Sequence, residues 1–106
     1  MSLGRKEKIV TIGSDEYLLA FDNIAIRTYK ELYHVSFMQT FHLLGQFDDE
    51  TILHFAAACI REKDAPDTPL GLDLFEKHDI VEVLLGCGDD LVQFVIAGLP
   101  KKNEKK

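Results

Sequence analysis

His78 and Asp79 stand side by side. An imidazole beside a carboxylate is a donor pair that can hold a divalent cation and activate water on a phosphate ester. Such a centre needs further donors from other elements, and His42 or His54 are the upstream histidines available. The competing reading puts His78 partly toward solvent on a helix, with Asp79 as surface charge. The other candidate groups do not converge. The chain has no Cys-x-x-Cys, His-x-x-x-His or His-Glu-x-x-His spacing. Cys59 and Cys87, the only two cysteines, sit in apolar settings and read as small buried hydrophobes. No serine lies in a Gly-x-Ser-x-Gly elbow; Ser14 falls in a turn and Ser36 in a helix cap. Asp48-Asp49 and Asp89-Asp90 open expected helices, where the helix dipole accounts for them. Gly86-Cys87-Gly88 lacks the Gly-Lys-Ser/Thr ending of a phosphate loop. The reading assigns no catalytic residue, no cofactor and no metal, and expects no enzyme.

What remains is an apolar surplus. Phe37, Met38, Phe41, Leu43, Leu44 and Phe47 fall within eleven residues. Phe37, Phe41 and Leu44 share one helical face, with Met38 beside it. One short helix cannot easily bury all of them in so small a domain. At least half must be core, and part of the cluster is the candidate docking surface: Phe37, Met38, Phe41, Leu44 and Phe47.

Composition narrows the partners. The net charge is −6, and residues 101–106 carry four lysines and one glutamate, so the rest holds 8 basic against 17 acidic residues, a net of −9. That body repels a phosphate backbone, so nucleic acid is not an expected partner. No apolar run reaches the ~20 residues of a membrane span. The first residues lack the apolar core of a signal peptide, and two dispersed cysteines suit a reducing cytoplasm. One domain over 1–106 is expected, with an ordered core at about 7–100. Residues 1–4 are set apart as an appended stretch, and 101–106 as a flexible lysine-rich tail.

The elements that must position these groups follow from periodicity. Lys8–Ile12 is β-branched, Gly13-Ser14-Asp15 is a turn signal, and Tyr17, Leu19 and Phe21 alternate. This predicts a hairpin over 7–13 and 16–21. Asp22 is a candidate N-cap for a helix near 22–34. Ser36 and Gln39 have capping-box spacing for a helix near 37–44 that ends at Gly45 as its C′ residue. Asp48-Asp49-Glu50 starts a buried helix expected to end near Lys63. A proline-containing loop spans 64–71. A fourth helix, about 73–85, carries Leu74, Phe75, Val81, Leu84 and Leu85, and Gly86-Cys87-Gly88 breaks it. A last helix spans about 90–98. The expected class is α+β: an N-terminal hairpin and four to five helices.

The order of short words along this chain resembles a family. The words are Ile12 to Asp22, Ala25-Ile26, Tyr29 to Leu32, Ser36-Phe37, Leu43 to Asp48, Thr51 to Leu53, Ala56 to Arg61 and Pro69-Leu70. They resemble the tail assembly chaperones of long-tailed phages and prophages of Gram-positive bacteria, over about residues 9–100. The resemblance implies a protein of the host bacterial cytoplasm that binds the tape measure protein while tail-tube subunits polymerise around it. It implies the tape measure protein as partner, the tail-tube protein as a further one, and self-association into a homo-oligomer. It also implies a longer frameshifted product, for which the A-rich codons of Lys101-Lys102 and Lys105-Lys106 are suited. It carries no catalytic residue. Two readings from other classes stay open: a small metal-dependent phosphohydrolase of the HD type built on His78-Asp79, and a generic oligomeric adaptor.

Overall fold

The computed structural model describes residues 6–98. Strands β1 (Lys6–Ile12) and β2 (Asp15–Phe21) pair antiparallel from Ile12↔Asp15 to Lys6↔Phe21. Two residues join them, and Gly13 takes the positive φ of 64° that such a tight link demands. Its missing side chain has a second reason: a Cβ there would lie 2.6 Å from a carboxylate oxygen of Glu82. Along β2, Tyr17, Leu19 and Phe21 face the main core with Val10 and Ile12 of β1.

Helix α1 (Asn23–Tyr33) starts where Asp22 accepts the Ala25 N–H at 2.9 Å, as the cap signal predicts. It stops at His34, whose φ of 63° turns the chain out of the helix. Helix α2 (Phe37–Leu44) opens with the Ser36 N–H donating to the Gln39 side-chain oxygen at 3.1 Å. Its end corrects the expectation for Gly45, which keeps a right-handed φ of −65°. The chain unwinds through one more turn, and Phe47 takes the left-handed backbone instead, at φ 56°.

Helix α3 (Asp49–Cys59) is capped by Asp48, which accepts from both the N–H and the hydroxyl of Thr51. It ends four residues before Lys63, because Ile60–Arg61 form a short strand, β3, on the free side of β2. The sheet order is β1-β2-β3, three strands where a hairpin was expected. Arg61 pairs across from Leu18, so its side chain lies on the face shared by Leu18, Ala20 and Asp22. There it donates twice to the Asp22 carboxylate, at 2.7 and 3.0 Å, and to the Pro66 carbonyl at 2.7 Å, with no exposed surface. One carboxylate thus caps α1 and neutralises a buried guanidinium.

After the loop, a 3-10 turn (Gly71–Asp73) leads into α4, only Leu74–Lys77. The break falls at His78, not at Gly86-Cys87-Gly88: α5 runs without interruption from Ile80 to Gly98. The glycines mark a close crossing. A Cβ on Gly86 would lie 2.8 Å from the Thr11 carbonyl oxygen and 3.1 Å from Ile12 Cα. Helix α5 packs on α3 and β1, and Leu91, Val92 and Val95 join the core with Val83 and Cys87. The α+β class and the mostly helical body agree with the expectation. Leu99, Pro100 and the lysine-rich run at 101–106 lie outside the described residues, as do residues 1–4.

Candidate protein-docking surface

The histidine that invited a metal reading is built into the fold. His78 is 8% exposed and follows α4 in extended backbone, which corrects its expected position on a solvent-facing helix. Its Nε2 lies 2.7 Å from the Tyr17 hydroxyl, and its Nδ1 lies 2.7 Å from a Glu82 carboxylate oxygen. Both ring nitrogens are therefore engaged in hydrogen bonds within the fold. Asp79, beside it, is exposed. Among the described residues, no three histidine, cysteine or acidic side chains cluster as metal ligands. Burial raises the Tyr17 phenol, with Asp15 adding to the effect, so this hydroxyl holds its proton and ties the hairpin to the start of α5. Cys59 and Cys87 are buried free thiols, each pushed up to about 12 by loss of water.

An open cleft of about 790 Å³ lies nearby, lined by Ser14, Asp15, Glu16, Tyr17, Glu62, Lys63 and Lys77. Its lysines are already neutralised, Lys63 by Glu16 at 2.8 Å and Lys77 by Glu62 at 2.9 Å. It therefore presents a solvated surface whose two cations are each paired with a carboxylate.

The apolar candidates divide. Leu44 has no exposed surface and belongs to the core, so it leaves the proposed docking set. Phe37 and Phe41 are half-buried; the Phe37 ring meets Phe21 edge-on with centroids 5.8 Å apart. Met38 is 64% exposed and Phe47 48%, so these two keep the role the sequence gave them as candidates. Phe47 also holds its left-handed φ, which is rare for a bulky side chain and costs free energy.

The most exposed large apolar side chain among the described residues lies on α5, where the sequence reading expected two helices. Val81 and Leu85 stand one turn apart, 63% and 83% exposed, whereas Ile96, 45% exposed, lies three turns on with buried Val92 between on the same side. Val83, Cys87, Leu91 and Val95 carry the buried seam instead. The misplacement traces to the assumed break: with two helices the phase is free, whereas one continuous helix fixes it. A second apolar feature is a cavity of about 310 Å³ lined by Tyr33, Glu50, Leu53, His54, Leu72, Phe75 and Ile80. Tyr33 and His54 stack there at 3.8 Å between centroids and 15° between planes. Burial pushes the Tyr33 phenol up to about 12 and pulls the His54 imidazole below its ordinary 6.5, so His54 favours its neutral form. No signal in the sequence brings these two rings together.

No helix among the described residues is long and apolar enough to cross a membrane. Comparison with protein-family models, with curated proteins and with solved structures finds no match.

Proposed function

We propose that this chain is a phage tail assembly chaperone, which binds the tape measure protein in the host bacterial cytoplasm and keeps it soluble until the tail tube encloses it. The observation that carries the reading is the exposed apolar pair Val81 and Leu85 on the first turns of α5, on a chain of net charge −6. Folding gains nothing from those side chains in water, and contiguous exposed apolar surface marks docking sites. Met38 and Phe47 are separately exposed on α2 and the turn after it, and the strained backbone at Phe47 fits a functional position. The order of short sequence words supplies the family.

The mechanism is modest and repetitive. An unassembled helical client exposes apolar stripes. Each chaperone copy covers a few hundred Å² of stripe, worth roughly 25 cal/mol per Å². Several copies along one client, and contacts between copies, add avidity that no single weak contact provides. The acidic surface keeps the complex from coalescing.

The test is co-expression with the long helical protein encoded beside the tail-tube gene. The wild-type chain is expected to carry that protein into the soluble fraction, and Leu85→Glu or Met38→Glu to lose the effect while the fold stays intact. A client that remains insoluble beside the wild-type chain would overturn the reading.

A further inference from the structure

We propose that the cavity between α3 and the turn from Leu72 to Ile80 receives one apolar side chain of an amphipathic client segment whose neighbouring positions are lysine or arginine. This rests on the docking reading above and names the chemistry of its partner. At about 310 Å³ the cavity stands at the small end of ligand sites, the size for an anchor side chain and not for a cofactor. Leu53, Phe75 and the stacked Tyr33–His54 pair give it apolar and aromatic walls. Leu72 and Ile80 stand half out of the surface at its rim, 54% and 53% exposed.

The charged residues in the lining and directly beside its members along the chain are acidic. Glu50 lines the cavity. Exposed Asp73, Glu76 and Asp79 each stand one residue from a lining side chain, Leu72, Phe75 and Ile80 in turn. No lysine or arginine lines the opening. Lys77 is turned to Glu62 in the cleft described above. His54 adds no positive charge in its neutral form. An apolar opening with Glu50 in its lining and further exposed carboxylates next to its lining residues along the chain suits an apolar anchor flanked by cations. The anchor supplies the contact, and the carboxylates set orientation and salt dependence.

The test uses three fluorescein-labelled amphipathic peptides titrated with the full chain by anisotropy. One has a leucine anchor with lysine flanks, one the same anchor with glutamate flanks, and one an alanine in place of the anchor with lysine flanks. The lysine-flanked leucine peptide is expected to bind at least about tenfold tighter than either control, with affinity falling as salt rises. Leu72→Ser and Ile80→Ser are exposed changes that leave the melting temperature in place, and each is expected to weaken binding by about tenfold. Glu50→Gln with Asp79→Asn is expected to flatten the salt dependence. The His54 ring resonances are expected to shift on binding the leucine peptide and not the alanine one. Equal binding of the lysine- and glutamate-flanked peptides overturns the proposal. So does unchanged binding by Leu72→Ser and Ile80→Ser, or no binding at millimolar peptide. These outcomes leave the chaperone reading standing if the wild-type chain still solubilises its client. A client that stays insoluble, beside intact and selective peptide binding, removes the chaperone reading and not the pocket.

Discussion

Helices α3 and α5 are both rich in apolar residues and pack against each other, yet they place that content in opposite ways. In α3, Thr51, Ile52 and the whole run Phe55 to Cys59 are buried. The helix lies among α1, α2, α5 and β2, so nearly every side of its second half meets protein. In α5, one seam is buried against α3 and β1 while Val81 and Leu85 face outward, mostly exposed. Three consecutive alanines let the neighbours of α3 approach closely; the outer side of α5 carries these two branched side chains. The difference teaches that apolar content does not predict burial in a small domain. Position among the layers does, and apolar groups left outside that order point to a use beyond folding.

The comparison can be broken at its strongest point, the end of α3. Arg61→Met leaves the Asp22 carboxylate buried without its cation and is expected to cost about 3–5 kcal/mol in urea unfolding. Asp22→Ala alone removes both the α1 cap and the acceptor of the guanidinium and should also destabilise. A loss under 1 kcal/mol for Arg61→Met would mean that water reaches the pair.

Gly86 and Gly88 of α5 sharpen the contrast with opposite signs. Gly86→Ala drives a methyl into the Thr11 carbonyl and the Ile12 backbone, which cannot yield, and should destabilise by about 1–3 kcal/mol. Gly88→Ala meets only Ile52 Cγ2 at 3.7 Å, an ordinary contact, and should gain up to about 1 kcal/mol from helix propensity. Thermal melts of the pair decide it; equal shifts would dissolve the distinction between the crossing and the remainder of the helix.

A smaller effect concerns pH. Burial lowers the His54 pKa from its ordinary 6.5, so the unfolded chain binds a proton first as pH falls. The stability gained from a neutral His54 is present above pH 6.5 and is lost as pH drops through the folded value. Unfolding midpoints at pH 7.5 and 5.5 should therefore differ more for wild type than for His54→Phe. The smallest effect is expected on the exposed pair itself. Leu85→Glu should change stability by less than about 0.5 kcal/mol while abolishing client solubilisation. A large loss of stability there would show that Leu85 is covered in solution by the same chain.

Local signals were legible and distant ones were not. The hairpin and the caps at Asp22, Ser36 and Asp48 can be read because each depends on residues within a few positions. Strand β3 cannot, since Ile60-Arg61 continues the apolar rhythm of α3 and its partner Leu18 lies 43 positions earlier. Gly86 and Gly88 read as a break because glycine disfavours helix, whereas contact with β1 decides the matter at Gly86. At His78, the spacing to Glu82 was a usable hint, but Tyr17 stands 61 residues away. The exposure of the candidate apolar set was legible in part. Met38 and Phe47 are exposed, Leu44 is core, and the exposed α5 pair disappeared into a helix phase that the supposed break left undetermined.

The bond from Arg61 to the Pro66 carbonyl carries one more consequence. The segment after β3 has two prolines and the look of an easy target for proteases, yet its middle is anchored to the most deeply buried cation of the molecule. To thread this segment through a protease's active cleft, the chain must first release Pro66 and loosen the guanidinium from Asp22. Nicking between residues 62 and 69 should therefore report on opening of the sheet edge, and its rate should rise with the same denaturant that frees Arg61.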